Sequence, residues 1–303
     1  MTVEHDRTPD LTRVLPAVLR RAAVRATLAA SVRNSQPWRL VLHPDRLVVR
    51  ADRSRRLPVF DPTGRQLLLS CGAAVFNARV ALAAAGIGDE VTWGPDALGT
   101  GDVDDLAMLR PAPDITDPDL VLAGLDWATL RRRSSWGPFT TPAEPALVAA
   151  LVAAARAEGA DLVAMDPAAA ARAARVAAVV LDADAAYLAE LRAWRAGATW
   201  IPDDLDWRTS TCLVLSTPTD SPAAWLRAGE ALQRVLLTAT ALDTAAHVLS
   251  LPIEVPAARH MVEVAAGCPG YAHLVVRVGC APAAPASARR RLVDVIRTVG
   301  AGT

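Results

Sequence analysis

Side chains able to bind a metal, attack a carbonyl or hold an anion are few in this sequence, and their spacing limits what each can do. The four cysteines, Cys71, Cys212, Cys268 and Cys280, lie far apart with no C-x-x-C pair. Such isolated thiols read as buried, reduced core residues, because free cysteine packs as a small hydrophobe. The five histidines, His5, His43, His247, His260 and His273, stand singly, so no metal site of zinc spacing is expected. Neither a G-x-S-x-G elbow nor a glycine-rich phosphate loop occurs. What remains is polar and rich in arginine. Ser31, Asn34 and Gln36 precede Trp38; Arg131, Arg132 and Arg133 precede Ser135; Glu254 ends Leu251-Pro252-Ile253-Glu254; Arg289 and Arg290 lie near the C-terminus. Read alone, Asn34 is a turn residue, the first arginine run caps a helix C-terminus, and Glu254 caps the helix after it. No side chain stands out for proton transfer, and no catalytic residue is predicted.

The elements that must carry these residues follow from periodicity and breakers. Helices are predicted over Val14–Ala30, Gln66–Ala85, Leu120–Arg132, Pro142–Glu158, Pro167 to about Arg195, Ala223–Leu242 and Pro256–Ala266. Strands are predicted over Trp38–His43, Arg46–Ala51, Leu162–Met165, Thr211–Ser216, Ala246–Leu249 and Tyr271–Val278, with others near Val91 and Met108. Pro111–Pro118 reads as a linker between an N-terminal half, 1–115, and a C-terminal half, 116–303. Helices and strands alternate without a clean βαβ repeat, which argues for a layered α+β fold. The chain of 303 residues carries 32 basic and 32 acidic side chains, so no global field draws it to nucleic acid or to an anionic membrane. No secretion signal is read at the N-terminus. No apolar stretch reaches the roughly 20 residues of a membrane span. The expectation is a cytoplasmic protein acting on a small-molecule substrate.

One internal similarity bears on the organisation. Cys71–Gly86 aligns without gaps onto Ala228–Asp243, matching Gly72 to Gly229, Ala74 to Ala231 and Ala84 to Ala241. The offset, 229 minus 72, is 157 residues, about half the chain. Two alanine-rich helices resemble one another by composition alone, but a duplicated domain also produces this spacing.

Four segments resemble the nitroreductase family of flavoproteins. Ala30-Ser-Val-Arg-Asn-Ser-Gln-Pro-Trp38 is similar to its P-S-x-x-N-x-Q-P-W stretch, and Arg133-Ser-Ser-Trp-Gly-Pro-Phe139 to its R-x-S-x-[KR]-x-F motif. Pro252-Ile253-Glu254 matches its P-I-E segment, and Arg289–Arg291 its basic C-terminal pair. The resemblance implies FMN as cofactor, NAD(P)H as electron donor, and a nitroreductase-like fold. By match, Ser31, Asn34 and Gln36 would face the flavin, Arg131, Arg133 and Ser135 its phosphate, and Pro252, Ile253 and Glu254 the region near N5. Arg289 and Arg290 would return to the phosphate. A planar guanidinium suits a terminal phosphate because it donates two parallel charge-assisted bonds. Gly137 departs from the motif, standing where the family has a second basic residue.

The first half carries S-x-x-N with no R-x-S ahead of it and no P-I-E; the second carries R-x-S, P-I-E and the basic tail with no S-x-x-N over 159–166. This layout resembles the Acg-type members of the family. It implies an intramolecular pseudo-dimer with one composite flavin site, monomeric or weakly homodimeric. Two activities follow from the resemblance. One is NAD(P)H-driven reduction of nitroaromatic, quinone or similar acceptors. The other is flavin binding without turnover, beneath a lid built from Arg53–Arg65 and Trp200–Trp207.

Overall fold

The computed structural model describes residues 11–94, 103–112, 119–194 and 207–300. In chain order these form α1 (Leu11–Ala26), β1 (Trp38–Leu42), β2 (Leu47–Ala51), α2 (Arg65–Ala83), β3 (Gly88–Trp93) and β4 (Asp105–Ala112). Next come α3 (Leu120–Ala123), α4 (Asp126–Arg131), β5 (Thr141–Pro142), α5 (Pro145–Ala157), β6 (Asp161–Met165), α6 (Pro167–Asp182) and α7 (Ala185–Ala193). The rest are β7 (Thr211–Thr217), α8 (Pro222–Ala241), β8 (Ala245–Leu249), α9 (Leu251–Glu254), α10 (Pro256–Ala266), β9 (Tyr271–Cys280), α11 (Leu292–Val295) and β10 (Ile296–Thr298).

Three elements depart from the sequence reading for local reasons. The helix expected over Leu120–Arg132 divides into α3 and α4 at Gly124. The long helix after Pro167 breaks at Ala183, and Asp184 caps α7 by accepting from the Ala186 and Tyr187 amides. Strand β4 runs through Pro111 into the expected linker. This is tolerated because β2 pairs only as far as Leu109, leaving Pro111 to face β3 alone. The remainder of that linker, 113–118, and Trp200–206 of the expected lid lie outside the described residues.

Two antiparallel sheets share one strand order. The first runs β1-β2-β4-β3, and β10 adds in parallel to the outer edge of β1. The second runs β6-β7-β9-β8, with the short β5 also on β9. Between the sheets α2 packs on α8. Both are buried along most of their length, and α2, where no membrane-length apolar stretch is expected from sequence, is by length and composition apolar enough to cross a membrane. It is a core helix, with 89% of its apolar window buried. Gly72 and Gly229 make the crossing close. A Cβ on Gly72 would sit inside the Leu226 carbonyl, and one on Gly229 inside the Leu69 carbonyl. Leu69 and Leu226 are themselves related by the 157-residue offset, so the two contacts are mutual counterparts. Cys71 and Cys212 are buried as expected, whereas Cys280, at the end of β9, is exposed.

Five ionisable groups meet where α2 passes α8 and the end of α5. Arg79 lies 2.8 Å from both Glu158 and Glu230 and 3.1 Å from Asp89, and Arg234 lies 2.6 Å from Glu158. Three carboxylates share two guanidiniums. Burial pushes Glu230 up to about 7, with Arg79 opposing and Glu158 adding to the rise. An unfolded glutamate titrates near 4.5, so between about 4.5 and 7 the folded chain binds the extra proton. Stability therefore falls as pH rises through that window and levels above it. Glu230→Gln is expected to flatten this descent in urea unfolding midpoints measured from pH 5 to 8; an unchanged slope would assign the proton elsewhere.

Candidate functional site

The loop between α1 and β1 is held in a strained form. Arg33, Asn34 and Gln36 have φ of 45°, 54° and 48°, a left-handed region that costs non-glycine residues of the order of 1–2 kcal/mol each. Several bonds hold it. Ser31 Oγ accepts from the Gln36 amide at 3.1 Å, and the Val32 amide donates to Ser70 Oγ on α2 at 3.1 Å. The Ala30 amide donates to Gln233 Oε1 on α8 at 3.1 Å. In the other half, α5 and β6 are separated by only three residues, Glu158 to Ala160, against eleven between α1 and β1. That connection has no room for a comparable loop.

Arginines converge on this loop from the second half and the tail. Arg289 Nη1 lies 3.4 Å from Asn34 Oδ1, and its Nη2 donates to Leu28 O at 3.2 Å. Burial, then the charge of Arg133, lowers the Arg289 pKa. Arg132 is 6% exposed. Burial, then Arg289, then Arg133, lowers it to about 10. The Nε atoms of both Arg132 and Arg289 are buried without a hydrogen-bond partner. Three mutually repelling guanidiniums, two with orphaned donors, are the chemistry of a site for a multiply charged anion. The residues fit a phosphate.

The sequence-predicted residues divide accordingly. Asn34, Gln36, Arg289 and Arg290 share one hydrogen-bond network, and Ser31 anchors it. Arg133 stands in the arginine cluster, yet it also donates to Leu130 O at 3.0 Å, so it caps α4 as its position in the run suggested. Arg131 faces away, its guanidinium 6.0 Å from the Trp127 ring. Ser135 is buried, and its amide donates to Ala246 O at 3.0 Å. Gly137 has open space around it.

Glu254 belongs to a neighbouring network. It does not cap α10: its carboxylate accepts from Gln66 Nε2 at 2.8 Å and pairs with Arg65 at 3.3 Å. Burial raises its pKa against the pull of Arg65. Pro252 and Ile253 are buried beside it, and Ile253 O accepts from Arg65. Gln66 O also accepts from Ser70 Oγ, which links Glu254 to Val32 through α2. Over this side, Glu190 of α7 accepts from the Val59 and Phe60 amides, both at 2.9 Å. Arg33 reaches Tyr187 Oη at 2.6 Å and covers the Phe60 ring at 4.6 Å.

Sequence reasoning did not assign Arg65, Gln66, Asp52 or His247. The run of three arginines signalled a cation, but only burial distinguishes Arg132 within it. His247 stacks 4.5 Å from Trp136, beside Ser135, and burial followed by the charge of Arg277 lowers it to about 3, so it is neutral.

Comparisons with known proteins place the chain among nitroreductases. Rv3131 of Mycobacterium tuberculosis strain H37Rv, provisionally named an NAD(P)H nitroreductase, is 32% identical over 317 residues, 92% of this chain and 90% of that protein. The acg protein of the same strain, provisionally named in the same way, is 32% identical over 331 residues, 95% of this chain and 97% of its own. A solved structure from Anabaena variabilis, provisionally named a nitroreductase, superposes with a TM-score of 0.55 at 12% identity, over 91% of this chain and 90% of that one. No family model matches the chain.

Proposed function

The chain belongs to the Acg-type nitroreductase family and has the nitroreductase α+β fold, and on that premise we propose that it is an FMN-dependent oxidoreductase driven by NAD(P)H. The arginine cluster beside Asn34, with Arg132 buried, Arg289 partly buried and Arg133 exposed, is the observation that carries this reading. Those guanidiniums hold the cofactor phosphate, with Ser135 at the start of the adjoining segment. Asn34 offers both a carbonyl and an amide, which suits a ring edge that alternates acceptors and a donor. When bound, FMN supplies the redox step, accepting a hydride from NAD(P)H and passing electrons to an electron-poor acceptor such as a nitroaromatic or a quinone. The residues of the chain bind and orient it, and Glu254 presents a buried carboxylate held by Arg65 and Gln66.

The halves read as a fused pseudo-dimer with one site. Matching strand orders, the mutual glycine contacts and the three-residue connection before β6 support this. In such a chain the dimer interface is internal, and a monomer or weak homodimer in a cytoplasmic setting follows. The test is NAD(P)H oxidation by FMN-loaded protein with and without a nitroaromatic or quinone. Steady oxidation dependent on the acceptor is expected; inertness of the fully loaded protein would rule the activity out. The Glu190 and Tyr187 contacts favour a second reading, flavin binding without turnover beneath the loop 53–64. That reading fails if photoreduced flavin in the protein is rapidly reoxidised by a small acceptor.

A further inference from the structure

Two adjacent arginines of the tail have different tasks. Arg290 has its donors engaged by protein. Its amide donates to Gln36 Oε1 at 2.9 Å, its Nη1 to Gln36 O at 3.0 Å and Trp38 O at 3.2 Å, and its Nη2 to Asp294 O at 3.1 Å. Nη2 also pairs with Asp52 at 3.1 Å. Asp52 has a side chain only 2% exposed and accepts from Ser54 Oγ at 2.6 Å and from Arg39 at 3.3 Å. Ala288, two residues earlier, accepts from Asn34 Nδ2 at 3.0 Å and Gln36 Nε2 at 3.3 Å. Beyond it, β10 is fastened to β1 through Leu40 and Ile296. Arg289 shares this network through Nη1, which donates to Asn34 Oδ1, Ser287 O and Ala288 O, and through Nη2, which donates to Leu28 O, but its buried Nε has no partner.

We propose that Arg290, anchored by Asp52, is a positioning residue that clamps the C-terminal strap onto Gln36 and so holds the strained loop 31–36, with Asn34 and Arg289, in the cofactor-binding form. Positive φ at three non-glycine residues persists only where surrounding bonds over-determine it, and Arg290 and Ala288 supply bonds to two of the three. Arg290 itself does not bind the anion. The inference rests on reading the arginine cluster as the FMN phosphate site, and riboflavin, which lacks the phosphate, separates the two tasks.

Binding of FMN and of riboflavin is measured by flavin fluorescence for wild type, Arg289→Ala, Arg290→Ala and Arg290→Lys. Hydrogen exchange over residues 28–40 is followed by mass spectrometry in the flavin-free proteins. Arg290→Ala is expected to weaken both flavins by the same factor, on the order of tenfold, and to speed exchange in 31–36. Arg290→Lys is not expected to rescue, because an ammonium cannot span the carbonyls and Asp52 as the planar fork does. Arg289→Ala, which removes the orphaned donor as well as its bonds to Asn34 and Leu28, is expected to weaken FMN more than riboflavin. A loss confined to FMN in Arg290→Ala, or exchange unchanged from wild type, overturns the proposal. Should Arg290→Ala fail to fold, Asp52→Asn, which keeps the side-chain shape, answers the same question. If wild type binds neither flavin, the cofactor reading falls, and exchange over 31–36 still decides for or against the clamp.

Discussion

Exchange of Arg132 for methionine is expected to weaken FMN binding about a hundredfold or more, while making the flavin-free protein more stable. The two signs come from one cause. Arg132 is 6% exposed, faces Arg133 and Arg289, and has an Nε without a partner. Without an anion its charge is buried beside like charges, and an apolar side chain of similar length removes that cost, a gain of about 1–3 kcal/mol by analogy with other buried charges. With the phosphate bound, the same charge makes charge-assisted bonds worth about 1.5–3 kcal/mol each, and losing two of them accounts for a hundredfold or more. Riboflavin binding should be nearly unchanged. Titrations with both flavins, together with thermal unfolding of the flavin-free variant, measure all three quantities. Unchanged FMN affinity would remove the phosphate from this site. A destabilised flavin-free variant would mean that the charge is compensated inside the protein.

The second large effect is at the crossing of α2 and α8. Gly72→Ala and Gly229→Ala are each expected to cost at least about 3 kcal/mol, the upper end for overpacked interiors. The added methyl group meets a backbone carbonyl in each case, Leu226 or Leu69, and no flexible side-chain end can move aside. Once one substitution has forced the helices apart, the second finds space already made, so the double variant should lose less than the sum. Gly137→Ala, with nothing within 4 Å of its would-be Cβ, serves as the control and should change little. Urea midpoints for wild type and the four variants decide the matter. Additive losses would mean that the two contacts are independent and not parts of one mutual crossing.

Much of the architecture was legible because the chain marks its elements locally. The largely apolar run of α2, the 3.6-residue periodicity of α8, Pro at the starts of α6, α8 and α10, and glycine after α10 set those helices within a few residues. Alternation set β1 and β2, and the strand order that joins the sheets followed from no local pattern. The matched glycines were visible as a 157-residue offset, but a composition bias towards alanine made the same pattern. Only the tight crossing in three dimensions gives those two positions a physical reason to be glycine. The breaks at Gly124 and Ala183 were missed because helix-forming residues flank both, and capping at Asp184 won locally.

The candidate site divides along the same line. By itself the sequence determined which groups are available: Ser31, Asn34 and Gln36 in one segment, an arginine run before Ser135, Glu254 after Pro252-Ile253, and a basic pair at 289–290. Those are properties of residue type and short-range order. Tertiary structure decided which of these groups meet and in what state. It buried Arg132 and left Arg131 outside against Trp127. It also engaged Arg290 with Asp52 while leaving the Arg289 Nε unpartnered, and it turned Glu254 away from its helix to Arg65 and Gln66. The physical reason is that charge and hydrogen-bond capacity are written in the residue, whereas desolvation and partnering arise from segments more than a hundred positions apart in the chain. Adjacent arginines with the same side chain are therefore buried, paired with a carboxylate or left in solvent according to what folds over them.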